Sequence, residues 1–249
     1  MQGIGLPPSA ISPFAIVIKT QEIQAWINTD YEAMPPMQLA LLDAAAKAFT
    51  TFGFAAASID AIASQIGATK GSVYYHYRSK SELFFAVHKR AMVINLRAQL
   101  PVLQEKSLST IAKLFNMCHR HAMAMMESLY YQRVTVQGVE LHQSISTTPL
   151  EREALQEVVT MRDAYEELFE HVLKQGVSEG VFAALDPSIA AKSILGSLNW
   201  TTVWYRPREG ESEAAKLQIA SQLALQAVCG VVAAKSRSKV PTTAARLPA

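Results

Sequence analysis

The octapeptide Lys70-Gly71-Ser72-Val73-Tyr74-Tyr75-His76-Tyr77 concentrates the residue types best suited to recognition chemistry. In a helix, Val73 and Tyr77 stand at i and i+4 and turn inward, which leaves Gly71, Ser72 and Tyr75 outward with Tyr74 and His76 on the flanks. Such a face is small, polar and aromatic. Gly71 lets a partner's backbone approach, Ser72 can donate or accept at base edges, and the tyrosines offer a phenol to phosphate or a ring to thymine methyls. Lys80 is equally informative, because a cation in the first turn of a helix opposes the macrodipole. A phosphate there reverses the sign, so Lys80 reads as a clamp on a DNA backbone beside helix-terminal amides.

Other chemistries find little support. Cys118, His119 and His121 could form one corner of a metal site, but a metal needs three or four convergent ligands and no second cluster accompanies them. No Gly-rich phosphate loop, nucleophile elbow, HExxH or ExxH pair is present, so neither an enzyme nor a bound cofactor is expected. His142 and His171 read as ordinary surface or pocket histidines. The carboxylates Glu151, Glu153 and Glu157, then Glu166, Glu167 and Glu170, read as solvated faces of one helix. Cys118 and Cys229 lack any CxxC partner, as expected of reduced thiols in a cytosol.

The elements that must position these residues follow from periodicity and caps. From Met37, Leu42, Ala45, Phe49 and Phe52 recur with helical spacing until Gly53 supplies a stop. Ser58 caps a second, short helix whose Ile59, Ile62, Ala63 and Ile66 face inward until Gly67, with Asp60 in its first turn. Thr69 caps the third, and two short helices joined by a tight Gly-containing turn read as helix-turn-helix. Ser79-Lys80-Ser81-Glu82 spells a capping box ahead of a fourth helix that runs to about Pro101. Further helices are expected over 108–126, 129–146, 149–179, 187–205 and 212–234, the fold class being all-α: a three-helix head on a helical body.

The charge distribution agrees. The chain has 249 residues and a formal net charge of +2, yet residues 37–90 carry six Lys/Arg against three Asp/Glu, whereas 91–234 carry twelve against fifteen. A basic head on a neutral body suits a nucleic-acid partner. No uninterrupted apolar run approaches 18 residues, so no membrane span is expected and the protein reads as soluble and cytoplasmic. Four segments result: 1–36 as a flexible extension, 37–82 as the DNA-binding head, 83–234 as the body, and 235–249 as a disordered basic tail. The first is either a loosely attached arm or a stretch upstream of a start at Met34 or Met37.

The stretch from Ser58 to Glu82, with Ile62-Ala63, Gly67, the octapeptide and Lys80-Ser81-Glu82-Leu83, resembles the DNA-binding head of TetR-family transcriptional regulators. The resemblance implies a homodimer that represses by occupying palindromic double-stranded operators, with Thr69, Lys70, Ser72, Tyr74, Tyr75 and His76 as DNA contacts and Lys80 on a phosphate. Ser58 and Gly71 belong to the same DNA-facing set. Asp60 departs from the pattern, since some members carry an arginine there that reads a base.

In the body, Arg162-Asp163-Ala164-Tyr165-Glu166, Gly176, Glu179-Gly180-Val181-Phe182, Asp186-Pro187, Gly196-Ser197-Leu198-Asn199-Trp200 and Trp204-Tyr205-Arg206-Pro207 resemble the TetR subgroup that answers to acyl-CoA thioesters. That implies an apolar tunnel and cations for phosphates. Met117 and Met123, with Met125 and Met126, can line the tunnel, and Arg120, Arg133 and Arg162 can meet an anion or instead pair with Glu127, Glu140 and Glu166. Trp200 and Trp204 are candidate ligand contacts or members of the core or a dimer seam. Ile194, Leu198, Leu217, Leu223 and Val228 are expected to mix core and seam. A regulator of efflux answering to hydrophobic drugs, and an effector-free DNA-binding protein, remain open at this point.

Overall fold

The structure, a computed structural model, describes residues 23–245 apart from Asp30, Glu32 and 144–147. After a helical stretch over 23–27, ten α-helices follow from Pro36 onward: α1 Pro36–Ala56, α2 Ile59–Gln65, α3 Lys70–His76, α4 Lys80–Gln104, α5 Thr110–Glu127, α6 Leu129–Gln143, α7 Pro149–Ser178, α8 Pro187–Asn199, α9 Thr201–Trp204 and α10 Glu213–Val231. A 3₁₀ helix follows over Ala234–Lys239, and among the described residues the sole β feature is an isolated antiparallel bridge between Phe182 and Val232.

Short polar side chains start most of these helices. Ser58, Thr69, Ser79, Ser109, Thr148, Asp186 and Ser212 each accept a backbone N–H in the first turn, and Thr148 with Glu151 completes a reciprocal capping box. Gly53 breaks α1 at φ 76°, a left-handed conformation open to glycine, after which the chain turns toward α2. The run expected over 187–205 divides at Trp200 into α8 and α9.

Two apolar clusters organise the packing. The head's cluster joins Leu41, Leu42, Ala45 and Phe49 of α1 to Ile59 and Ile62 of α2, Val73 of α3 and Leu83, Phe84 and Val87 of α4, and it continues into Tyr131, Val134 and Val158 of the body. Its helix α1 is long and apolar enough to cross a membrane by length and composition alone, but Leu41, Leu42, Ala44, Ala45, Ala46, Ala48 and Phe49 are buried in this cluster. The body's cluster is centred on Phe115, Met117 and Cys118 of α5, Phe169 and Leu173 of α7, and Ala224 and Val228 of α10.

Both terminal expectations need correction. Ile23 and Ile27 are buried in the body's cluster, and Arg97 donates to the carbonyls of Ile27 at 2.8 Å and Thr29 at 3.1 Å, so the segment just before α1 is attached rather than loose. Residues 1–22 lie outside the described part. At the other end, Ser236 is buried, Val240 and Ala244 pack on the body, and the N–H of Ala245 donates to Asn116 at 2.7 Å. Residues 235–245 therefore follow the body instead of leaving it; the expectation for 246–249 falls outside the described residues. In each case a few apolar side chains at helical or alternate spacing outweigh a polar, proline-containing composition.

Candidate DNA-reading head and effector body

The head presents α3 on a fixed base. Val73 and Tyr77 are buried, and Thr69 Oγ1 accepts from Ser72 N at 3.2 Å and lies 3.1 Å from Ser72 Oγ. Ser58 caps α2 by accepting from Ala61 N at 3.1 Å. Outward stand Gly71, Tyr74 and Tyr75, the last 86% exposed, with the His76 ring edge-on to it at 5.0 Å. Only the Thr69 hydroxyl comes near a side chain built at Gly71, so a DNA backbone can approach there.

Two cations behave differently from each other. Lys70 reaches back to Asp60 with Nζ 3.0 Å from Oδ2, and this hydrogen bond holds the Lys70 ammonium above its ordinary pKa. The acid that departs from the family pattern thus fastens α2 to α3. Lys80 is turned inward: its Nζ donates to the carbonyls of Phe54 at 2.8 Å, Ala55 at 3.1 Å and Ala57 at 3.1 Å, and sits 4.6 Å from the Phe54 ring centroid. Those carbonyls are the unpaired acceptors at the end of α1. All three ammonium donors are thereby engaged in a staple closing α1 onto α4, beside which the phosphate contact expected at Lys80 stays a proposal.

In the body the sequence-selected residues are distributed over α5, α6, α7 and the α8–α9 stretch. Met117 is fully buried on α5, Met123 is half-buried, and Arg120 makes only a long bond of 3.4 Å to the Ala98 carbonyl. Arg133 donates to the carbonyls of Thr202 at 2.7 Å and Tyr205 at 3.0 Å, which ties α6 to α9, and burial lowers its pKa. Arg162 is exposed on α7, and Glu166 pairs with Lys192 rather than with Arg162. Trp200 and Trp204 are 62% and 44% exposed, which places them outside the core. They border a groove of about 650 Å³ between α8 and α10, lined also by Ile189, Ser197, Leu223 and Gln226. Within the earlier core-and-seam set, Ile194, Leu198 and Val228 are buried, whereas Leu217 is exposed and Leu223 faces the groove.

The polar centre of the body is a chain that sequence reasoning missed. Gln99 Nε2 donates to Tyr165 Oη at 2.8 Å, Tyr165 Oη lies 2.7 Å from His121 Nδ1, and His121 Nε2 lies 2.9 Å from Asn199 Oδ1. With Nε2–H donating to Asn199, Nδ1 must accept from Tyr165, so one imidazole tautomer satisfies the whole chain. Burial drives the His121 pKa down to about 4 and keeps Tyr165 a phenol. Gln99 Oε1 is buried without a hydrogen-bond partner. The available signal was Gln99 itself, a polar residue on the apolar face of α4 between Leu96 and Leu100. Among the described residues no three metal-ligating groups come together, and both ring nitrogens of His121 are already used.

Residues 41–87 match the family model described as bacterial regulatory proteins, tetR family, and residues 107–228 match the tetracyclin repressor-like C-terminal domain.
The chain belongs to the TetR family of transcriptional regulators.
It is 24% identical over 152 residues to the uncharacterized HTH-type transcriptional regulator YhgD of Bacillus subtilis (strain 168), covering 61% of this chain and 74% of that one. Its fold is that of the ketosteroid transcriptional regulator KstR2 of Mycobacterium tuberculosis (TM-score 0.68, 20% identity, 80% of this chain and 97% of that one). It is likewise that of AibR, solved in complex with isovaleryl coenzyme A and operator DNA (TM-score 0.62, 20% identity, 78% and 97% covered). As a TetR-family regulator, the protein carries its helix-turn-helix in α2 and α3 and the family's C-terminal domain in the helices from α5 onward.

Proposed function

We propose that this TetR-family protein is a homodimeric repressor that occupies a palindromic operator and is released by an acyl-CoA-type effector, in the control of fatty-acid, branched-acid or steroid catabolism. The observation that carries the DNA half is the uncovered face of α3, where Tyr74 and Tyr75 project from a capped helix on a buried base. Self-association is supported by the apolar edge of α8 to α10, where Ile189, Trp200 and Trp204 are exposed beside one groove and Leu217 is exposed elsewhere on α10. Two such heads read half-sites about one helical turn, roughly 34–36 Å, apart.

The effector half is supported by the body's chemistry and by the likeness to AibR, the regulator solved with isovaleryl coenzyme A. Met117 and Met123 supply adaptable apolar surface on α5, and Arg120, held by one long bond, can turn to an anion at little cost. Arg133 and Arg162 are poorer anion ligands, the first being committed to α9 and the second exposed. The test uses DNA selected from a random pool by the full-length protein. Tyr74→Ala should lower affinity for the selected site by about 1–3 kcal/mol and leave nonspecific binding unchanged. A panel of CoA thioesters, matching free acids, free CoA and cationic drugs is then scored for stabilisation and DNA release. A bound effector at 100 times its Kd stabilises the fold by about 2.7 kcal/mol. Release by drugs alone replaces the acyl-CoA reading with an efflux-type regulator.

A further inference from the structure

We propose that the segment preceding α1, anchored by Ile23, Ile27 and Tyr31 and held by Arg90 and Arg97, is a brace that sets the angle between the DNA-reading head and the body. Its members are positioning residues for operator binding. The inference rests on the dimeric reading above, because the angle matters when two heads must meet two half-sites.

Ile23, Ile27 and Tyr31 recur every four residues and pass from one cluster to the other. Ile23 and Ile27 are buried in the body's cluster, Tyr31 packs against both clusters, and Met34 packs against the head's. The whole segment lies before residue 41, where the match to the family's head begins. Arg97, on the body half of α4, fastens it with Nε at 3.1 Å and Nη2 at 2.8 Å from the Ile27 carbonyl and Nη2 at 3.1 Å from that of Thr29.

Tyr31 then reaches a joint where three helices meet. Arg90 of α4 donates to Asp43 of α1 at 3.1 Å and to the Tyr131 hydroxyl of α6 at 2.6 Å, while that hydroxyl donates to the same Asp43 oxygen at 2.6 Å. The guanidinium carbon lies 4.7 Å from the Tyr131 ring centroid and 5.7 Å from that of Tyr31. A second tie, Thr50 Oγ1 to the Tyr130 carbonyl at 3.0 Å, binds α1 to α6 about two turns farther along α1. Turning the head about α4 therefore requires either Tyr31 to leave the Arg90 joint or Ile23 and Ile27 to leave the body's core. Core packing is costly to deform in small increments, so the brace favours one angle over a continuum of them.

Half-site spacing reads this angle directly. The full-length protein and its Tyr31→Ala, Tyr31→Phe and Arg97→Ala variants are titrated with the selected palindromic DNA and with the same DNA carrying two extra base pairs between its halves. The unmodified protein should prefer the selected spacing by about tenfold or more, since the insertion rotates one half-site about the duplex axis. Tyr31→Ala and Arg97→Ala should reduce that preference severalfold, and Tyr31→Phe, which keeps the ring on Arg90, should retain it. Arg97 is exposed, so its variant folds even if Tyr31→Ala does not. An unchanged preference in Arg97→Ala, or equal weakening on both DNAs in the two alanine variants, overturns the brace while leaving the dimeric reading intact. Selection of one unrepeated DNA element overturns the dimeric reading and the brace with it.

Discussion

Removing the Lys80 ammonium separates two roles that a sequence alone makes look alike. A phosphate clamp on the surface contributes to DNA binding and nothing to folding; a staple does the reverse. Lys80 donates to three carbonyls, of which those of Phe54 and Ala57 are part-buried and that of Ala55 is open to water. In Lys80→Ala, water can replace the ammonium at Ala55, but each part-buried carbonyl loses a charge-assisted bond and bears about 1 kcal/mol of unmet desolvation. Loss of the cation over the Phe54 ring adds roughly 0.5–1 kcal/mol. The sum is about 2–3 kcal/mol, or a fall of roughly 4–12 °C in Tm at about 2–4 °C per kcal/mol for a chain of this size. The salt dependence of DNA binding should hardly change, whereas a lost phosphate contact lowers the slope of log K against log salt by about 0.9. Thermal melts and titrations at four salt concentrations decide it. A Tm within a degree of the unmodified protein together with a slope reduced by about 0.9 refutes the staple.

Three further outcomes follow from the packing. Deleting residues 1–33 removes Ile23 and Ile27 from the body's core, and Ile23→Ala with Ile27→Ala should by itself cost about 4 kcal/mol or more in urea unfolding. The sequence pattern alone predicts no loss from that deletion, so an unchanged midpoint restores the loose arm. Arg at Leu217 and at Leu223, separately, should yield monomers by light scattering, since the first is exposed and the second borders the α8–α10 groove; soluble dimers from both place the seam elsewhere. His121 has a folded pKa of about 4 against an ordinary 6.5, so between those values the unfolded chain binds a proton that the folded chain refuses. Stability contributed by neutral His121 is therefore complete above about pH 6.5 and falls by about 3 kcal/mol as the pH drops to 4. His121→Gln should flatten that part of the pH dependence, and an identical profile would show that His121 titrates normally.

The head was legible because its signals are local and agree with one another. Ser58, Thr69 and Ser79 each cap the helix that begins beside them, Gly53 ends the helical part of α1, and the i, i+4 pair Val73 and Tyr77 fixes which face of α3 is outward. Each of these is decided within about four residues along the chain, the range over which caps and periodicity operate. The carbonyl partners of Lys80 are not legible in the sequence because they lie 23 to 26 residues earlier, at a helix end whose orphan carbonyls have no sequence signature. Arg133 follows the same rule at longer range: its acceptors are carbonyls 69 and 72 residues later, and any arginine on a mixed helix looks equally free to meet an anion.

The buried chain in the body shows why effector sites resist this kind of reading. Gln99, His121, Tyr165 and Asn199 come from α4, α5, α7 and α8, so their meeting is a property of tertiary packing and of no single helix. Charged residues are the conspicuous ligand candidates in a sequence, yet burial favours the neutral forms of His121 and Tyr165 in the interior. A residue such as Gln99 costs little when all its atoms are paired and much when one is left over. Its buried Oε1 has no hydrogen-bond partner among the described residues, as is also true of Thr201 Oγ1, and that is a consequence of tertiary packing that composition cannot reveal.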